Sequence, residues 1–201
     1  WDARFTNASC LKEDHPPAFQ PRHGTVARMI LFWHTRLPGV PVLLVKKDIS
    51  EAFKWLWMAL SDVGRVATDV PGVEFGVSGV ITALYLVMVF GWSGAPGEWM
   101  AFAWAMKWLH AAFRSSVPEW EDSPGFSSAF LMDDQVLVEP DVGRRVWRSI
   151  RLAEESARCA LGPRAVNRAK DAEEGQPETQ KLIWGLLYDT ELLRVALPPV
   201  K

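Results

Sequence analysis

An α+β fold is predicted for this chain of 201 residues, on three observations. Short apolar runs rich in β-branched residues, such as Val40 to Val45, alternate with segments whose apolar residues recur at helical spacing. Two apolar runs flank Asp133-Asp134 closely enough to pair as a hairpin. The resulting order is strand, helix, strand, helix, hairpin, helix, hairpin, which layers helices on one side of a sheet.

Residues 1 to 24 carry prolines and charges without a period and read as an irregular lead-in. Val26, Met29, Ile30 and Trp33 predict a helix over Thr25 to Arg36, stopped by Leu37-Pro38-Gly39. Val40 to Val45 is a buried strand that leads into Lys46-Lys47-Asp48. Ala52, Phe53, Leu56, Ala59 and Leu60 predict a helix over Ser50 to Leu60, with Ser50 as its cap. Val63 to Gly79 reads as loop with short strands, and Leu84 to Phe90 as a strand. After the glycine-rich turn Gly91 to Gly97, Pro96 or Glu98 opens a helix to Phe113. Its predicted core stripe is Trp99, Phe102, Met106, Leu109 and Phe113. Phe126 to Met132 and Gln135 to Val138 are strands. Asp141 to Leu161 is an amphipathic helix, Gly162 to Gln180 a polar loop, and Leu182 to Tyr188 with Leu192 to Leu197 a last hairpin.

The length fits one domain, or one domain and a fragment of a second. With 49% hydrophobic residues and a net charge of −2, the composition is globular and lacks the basic excess common in nucleic-acid binders. Two cysteines, Cys10 and Cys159, make neither a disulfide framework nor a zinc spacing, and the four histidines form no ligand-spaced pair. An intracellular protein, cytoplasmic or nuclear and not secreted, is expected. The opening Trp1-Asp2-Ala3-Arg4 has neither an initiator Met nor an apolar leader, so the chain reads as a piece of something longer. The apolar stretch Val80 to Phe90 is shorter than the roughly 20 residues a membrane-spanning helix needs, so no membrane partner is expected.

Three carboxylates carry the candidate chemistry. Asp48 ends an apolar strand, and Asp133 and Asp134 sit at a hairpin tip. Adjacent carboxylates repel, and a divalent cation would remove the repulsion. If the Asp48 strand lies beside the hairpin, the three converge as a two-metal site for phosphoryl transfer. The plainer reading is that Asp-Asp is a turn dipeptide and Asp48 a cap. The basic face Arg144, Arg145, Arg148 and Arg151 could meet phosphates, but a solvated face paired with Glu154 and Glu155 is the better account. The 11 tryptophans read mainly as core rather than as base-stacking surfaces.

Four segments resemble motifs of reverse transcriptases, in that family's order, over about Val40 to Lys201. Lys47-Asp48-Ile49-Ser50-Glu51-Ala52-Phe53 is similar to motif A, and Phe90-Gly91-Trp92-Ser93-Gly94-Ala95-Pro96 to motif B. Leu131-Met132-Asp133-Asp134 is similar to motif C. Lys181-Leu182-Ile183-Trp184-Gly185-Leu186 resembles the primer grip, and Asp189-Thr190 with Val195-Ala196-Leu197-Pro198-Pro199-Val200-Lys201 resembles the stretch after the grip in retrotransposon polymerases.

The resemblance implies a polymerase palm over residues 40–201, an antiparallel sheet with helices packed on one face (a ferredoxin-like core), behind a truncated fingers remnant at 1–39. It implies that Asp48, Asp133 and Asp134 hold two Mg2+ ions, with Mn2+ as the substitute, and that the Ile49 carbonyl is a further ligand. The ions would activate the primer hydroxyl and neutralise the triphosphate. Phe53 would be the steric gate against a ribose 2′-hydroxyl, although its place in a helical turn also fits a core aromatic. Phe90 and Gly91 would meet the nucleotide and template base; an ordinary strand-to-helix turn is the alternative. Lys170 would protonate pyrophosphate. Trp184 and Gly185 would position the primer end, or serve only as a hairpin turn.

Two positions depart from the family pattern. Leu131 replaces an aromatic in motif C, and Phe90 replaces a glutamine in motif B. Arg22, His23 and Arg28 are the only stand-ins for the basic triphosphate clamp. The implied partners are an RNA or DNA template with primer and deoxynucleoside triphosphates. The implied missing parts are the thumb, ribonuclease H and integrase segments of a longer polyprotein. The expected activity is RNA-directed DNA polymerisation. The alternatives are an inactive palm remnant that at most binds nucleic acid, and an unrelated α+β interaction domain.

Overall fold

The computed structural model describes residues 7, 8, 10–113 and 124–199. Trp1 to Arg4 and Val200-Lys201, used in the sequence reading, lie outside them. In chain order the elements are α1 (His23–Arg36), β1 (Val42–Asp48), α2 (Leu60–Val63), β2 (Thr68–Pro71), β3 (Val80–Ala83) and α3 (Ala95–Ala112). After these come β4 (Ser128–Leu131), β5 (Asp134–Pro140), α4 (Arg145–Leu161), α5 (Arg168–Glu174), β6 (Gln180–Ile183), β7 (Leu186–Asp189) and β8 (Arg194–Ala196). The fold is α+β with small antiparallel sheets. Among the described residues no helix is long and apolar enough to cross a membrane.

The chain divides into two compact units. One comprises Trp1–Phe19 and Glu51–Ala101, the other Gln20–Ser50 and Phe102–Lys201.

The second unit is built on a three-stranded antiparallel sheet ordered β1-β5-β4. Glu178 adds an antiparallel bridge to Leu44 on the free edge of β1, with both backbone bonds made. β1 and β5 are buried on both faces, which is why they read as unbroken apolar runs rather than alternating ones. Val42, Leu44, Val136 and Val138 face one way, onto Val26, Ile30 and Trp33 of α1 and Ile183 and Tyr188 of the β6-β7-β8 sheet. Leu43, Val45 and Leu137 face the other way, onto Val146, Ile150 and Ala153 of α4. Helices therefore cover both faces, not one. The helix expected over Thr25 to Arg36, within the stretch the resemblance gave as a fingers remnant, supplies the second cover, because Val26, Ile30 and Trp33 fall on one stripe of α1.

A buried polar cluster ties α3, β4, β5 and α4 together in this unit. Arg145 and Glu139 are both fully buried and paired at 2.6 Å. The guanidinium also donates to the carbonyls of Pro124 and Gly125 and lies over the rings of Trp33 and Phe126. Ser149 Oγ donates to Glu139, and His110 reaches Ser149 Oγ at 3.0 Å and Ser128 Oγ at 3.2 Å. Burial pulls the His110 imidazole down to about 4 and pushes the Glu139 carboxyl up to about 7 in spite of Arg145.

The first unit holds the β2-β3 hairpin, the single turn α2 and the start of α3. Several expectations fail here. Ser50 to Leu60 is not a helix: Glu51 takes φ 52°, a 3-10 turn covers Ala52–Trp55, and the chain is extended at Leu56. Leu84 to Phe90 is not a strand. β3 lies just before it at Val80–Ala83, leaving only a bridge between Trp57 and Val87. Short apolar runs do not by themselves fix a pairing partner.

On α3 the buried positions are Ala95, Gly97, Trp99, Met100, Ala103, Met106 and His110, whereas Phe102 and Leu109, and Phe113 just after the helix, are exposed. Trp99 and Met106 of the predicted stripe face inward as expected, but small Ala103 and paired His110 take the inward positions expected of Phe102, Leu109 and Phe113. Trp57, Trp104, Trp108 and Trp147 are likewise exposed, whereas Trp33 and Trp99 are buried, so the described tryptophans are not mainly core. α4 starts at Arg145 rather than Asp141. The predicted last hairpin is three strands, with the Leu182–Tyr188 run itself folded about Trp184-Gly185.

Candidate active site

The second unit brings Asp48, Asp133 and Asp134 together. Asp48 is the last residue of β1 and pairs in register with Asp134, the first residue of β5. Directly opposed residues of an antiparallel pair project from the same face, with Cβ atoms about 5 Å apart. Two like charges at such a position are destabilising unless something compensates them. Asp134 is therefore on the strand, not at the tip; the turn of the β4-β5 hairpin is Met132-Asp133. The Ile49 N–H donates to the Asp133 carbonyl at 3.0 Å, which fastens the turn to the end of β1. Ile49 is itself buried and bridges Val166.

The turn carries strain. Met132 has φ 53°, a left-handed conformation that a non-glycine residue seldom adopts. Gln20 holds it from the segment before α1, its Oε1 accepting from the Met132 N–H at 3.3 Å and its Nε2 reaching the sulfur at 2.9 Å. Strain of this kind persists where surrounding structure over-determines it, and it concentrates at functional sites.

The electrostatics show the crowding. Burial raises the Asp134 carboxyl above its ordinary value, and the charges of Asp133 and Asp48 raise it further against the pull of Lys46 and Lys170. Lys170 is the counter-charge on Asp48. Its ammonium donates to Asp48 Oδ1 at 2.5 Å. That hydrogen bond, with the charges of Asp48, Asp134 and Asp133, raises the Lys170 ammonium above its ordinary value. Asp48 Oδ2 accepts from Asn167 Nδ2 at 2.8 Å.

Among the described residues no three His, Cys, Asp or Glu side chains form a ready metal-ligating group. Asp48 faces Lys170 and Asn167 instead. The donor set still fits a hard cation in kind: three carboxylates on adjoining backbone, all oxygen, coupled through their charges. These residues would hold Mg2+ if the Lys170 ammonium gave up its place.

Lys170 sits on α5, where the sequence reading has only polar loop. α5 buries no side chain and is held by polar bonds along β1. Lys47 reaches Asp171 at 2.7 Å and Glu154 at 2.9 Å, and Lys46 pairs with Glu174. Asn167 caps the helix, its side chain accepting from the Lys170 N–H, while its own N–H donates to the Asp48 carbonyl at 3.0 Å. Asn167 and Gln20 escaped the sequence reading. The Asn-Arg-Ala-Lys-Asp start could have revealed the cap; nothing in sequence marks Gln20.

Trp184 (φ 48°) and Gly185 (φ 86°) form the tight β6-β7 turn, and Trp184 packs at the edge of the α1 core. His23, offered as part of a triphosphate clamp, bonds the Tyr188 hydroxyl at 2.8 Å. Phe53, Phe90 and Gly91 belong to the first unit. Phe53 meets Phe90 and Trp99 edge-on, with centroids 6.0 and 6.2 Å apart, and Phe90 is largely exposed. Gly91 has φ 93°, and Asn7 brackets its turn by donating to the Gly91 carbonyl and accepting from the Ser93 N–H. A Cβ on Gly97 would lie 1.8 Å from the Pro16 carbonyl oxygen. The need for glycine there comes from the lead-in segment packing on the turn. No protein-family profile and no curated protein sequence matches this chain.

Proposed function

We propose that the chain is the palm core of an RNA-directed DNA polymerase of a retrotransposon-like element, with Asp48, Asp133 and Asp134 as the metal-binding carboxylates. One observation carries the reading. The aspartate of the motif-A-like segment stands in register beside the first strand residue of the motif-C-like hairpin, with the other motif-C aspartate in the turn. Motifs matched by chance have no reason to meet.

Topology supports it. With α2, β2 and β3 inserted after β1, and α5 inserted after α4, the order β1, α3, β4, β5, α4 and the Glu178 bridge reads β-α-β-β-α-β, with β1 between β5 and the bridging segment. That is the arrangement of the split βαβ, ferredoxin-like class on which such palms are built. Fold alone does not give function, so the weight rests on the carboxylates.

The divalent ions would supply activation of the primer hydroxyl and charge neutralisation on the triphosphate. The chain's own part is to hold the carboxylates. β1 and β5 fix Asp48 and Asp134 through the sheet, Gln20 and the Ile49 N–H fix the turn, and α5 sets Lys170 against the cluster. Lys170 is the proposed proton donor to pyrophosphate on the resemblance alone, and its bond to Asp48 must open first, because that bond raises the ammonium and makes it a weaker acid. Phe53, Phe90 and Gly91 are the proposed nucleotide-side residues, and Trp184 and Gly185 the primer-side residues, on the resemblance alone.

The test is extension of a labelled DNA primer on an RNA template with deoxynucleotides and Mg2+. Incorporation that is template-directed and lost in Asp48→Asn and Asp133→Asn supports the reading. Binding of primer–template without extension assigns the chain to the inactive-palm alternative. Neither binding nor extension leaves an interaction domain as the better account.

A further inference from the structure

Asn167 makes three bonds that meet at one point. Its amide nitrogen donates to Asp48 Oδ2 at 2.8 Å, its backbone N–H donates to the Asp48 carbonyl at 3.0 Å, and its side-chain oxygen caps α5 by accepting from the Lys170 N–H. The residue thus fixes the carboxylate at both its backbone and its side chain. It also fixes the helix turn from which Lys170 reaches the other oxygen, Oδ1, at 2.5 Å. Asp48 itself is almost fully buried, at 6% exposure, whereas the Lys170 side chain is about half exposed at 52%.

That asymmetry separates the two partners. Asn167 is short, neutral and tied to backbone on both sides, so it holds one orientation. Lys170 is a flexible ammonium with open solvent beside it, and its charge is what a cation would replace. The rest of α5 does not depend on Lys170, because Lys47–Asp171 and Lys46–Glu174 dock the helix independently.

We infer that Asn167 and Lys170 form a clamp on Asp48, in which Asn167 is a positioning residue that aims the carboxylate and Lys170 is an exchangeable counter-ion that a divalent cation displaces. The inference rests on the carboxylate site proposed above. Before a cation binds, the clamp keeps three crowded carboxylates compatible with a folded sheet. On binding, the ammonium swings out and Asn167 keeps Oδ2 in place, leaving Oδ1 free. The oxygen-ligand orientation supplied by outer partners of this kind typically accounts for 10–100-fold in metal affinity.

The test titrates Mg2+ into the full 201-residue chain, read by calorimetry and by NMR of 15N-labelled lysine ammonium groups. The Lys170 signal is assigned by its loss in Lys170→Arg. The clamp predicts that Mg2+ removes the hydrogen-bonded Lys170 signal. It also predicts that Asn167→Ser weakens Mg2+ binding about ten-fold or more with an unchanged circular dichroism spectrum. Serine retains a capping oxygen but loses the amide donor to Asp48. If Mg2+ binds in an Asp134-dependent way while the Lys170 signal stays, or while Asn167→Ser binds as the parent does, the clamp is overturned and the site stands. If neither the parent nor Lys170→Met shows Asp134-dependent binding, the site and the clamp fall together.

Discussion

His110→Gln is expected to expose a pH dependence that the parent protein conceals. Glu139 is fully buried, and its carboxyl is raised from 4.5 to about 7. A raised carboxyl stabilises the fold below its unfolded value and loses that contribution as pH climbs through 7. At about 1.4 kcal/mol per unit the loss is about 3 kcal/mol. His110 is lowered from 6.5 to about 4. Its contribution is present above 6.5 and is lost as pH falls through 4, again about 3 kcal/mol. Between about pH 4.5 and 6.5 the two slopes oppose: the folded state holds its proton on Glu139, the unfolded state on the histidine. Their sum is nearly flat. Glutamine at 110 removes one slope, so the variant should lose about 3 kcal/mol of stability between pH 4.5 and 7. This comes on top of a pH-independent cost of about 1–3 kcal/mol for the bonds to Ser128 and Ser149. Urea unfolding of both proteins at half-unit pH steps measures it. Parallel profiles for parent and variant would refute the argument that burial holds the proton on Glu139.

Three further outcomes are expected from the packing. Gly97→Ala drives a Cβ into the Pro16 carbonyl, a backbone atom that cannot swing aside, so the lead-in should detach and limited proteolysis should cut near residues 10–20 in the variant only. Trp33→Phe removes the indole donor to the Val138 carbonyl, a buried bond of 2.9 Å, and should cost about 1–3 kcal/mol in chemical denaturation. Lys47→Met leaves Glu154 and Asp171 without their shared ammonium. Hydrogen exchange of the α5 amides should then accelerate well above that of α4, whereas equal protection would show that α5 is held by other bonds.

What the sequence determined by itself was what periodicity and local chemistry encode. β1, β4 and β5 are legible because apolar runs between turn residues have few alternatives, and α1 and α4 because their apolar stripes are continuous. Asp48 at a strand end and Asp133 in a hairpin turn are legible for the same reason. Tertiary structure decided the rest. α5 has no apolar face, so only the pairing of Lys46, Lys47 and Asp48 with Glu174, Asp171, Asn167 and Lys170 makes it an element of the sheet unit. Leu84 to Phe90 has the composition of a strand but remains outside the sheets, because strand formation requires a partner that composition does not specify. The inward face of α3 was set by what approaches it, with Ala103 and His110 turned in and Phe102 and Leu109 turned out. At the site, the register of β1 on β5 alone put Asp48 opposite Asp134. A slip of one residue would have sent the two carboxylates to opposite faces of the sheet.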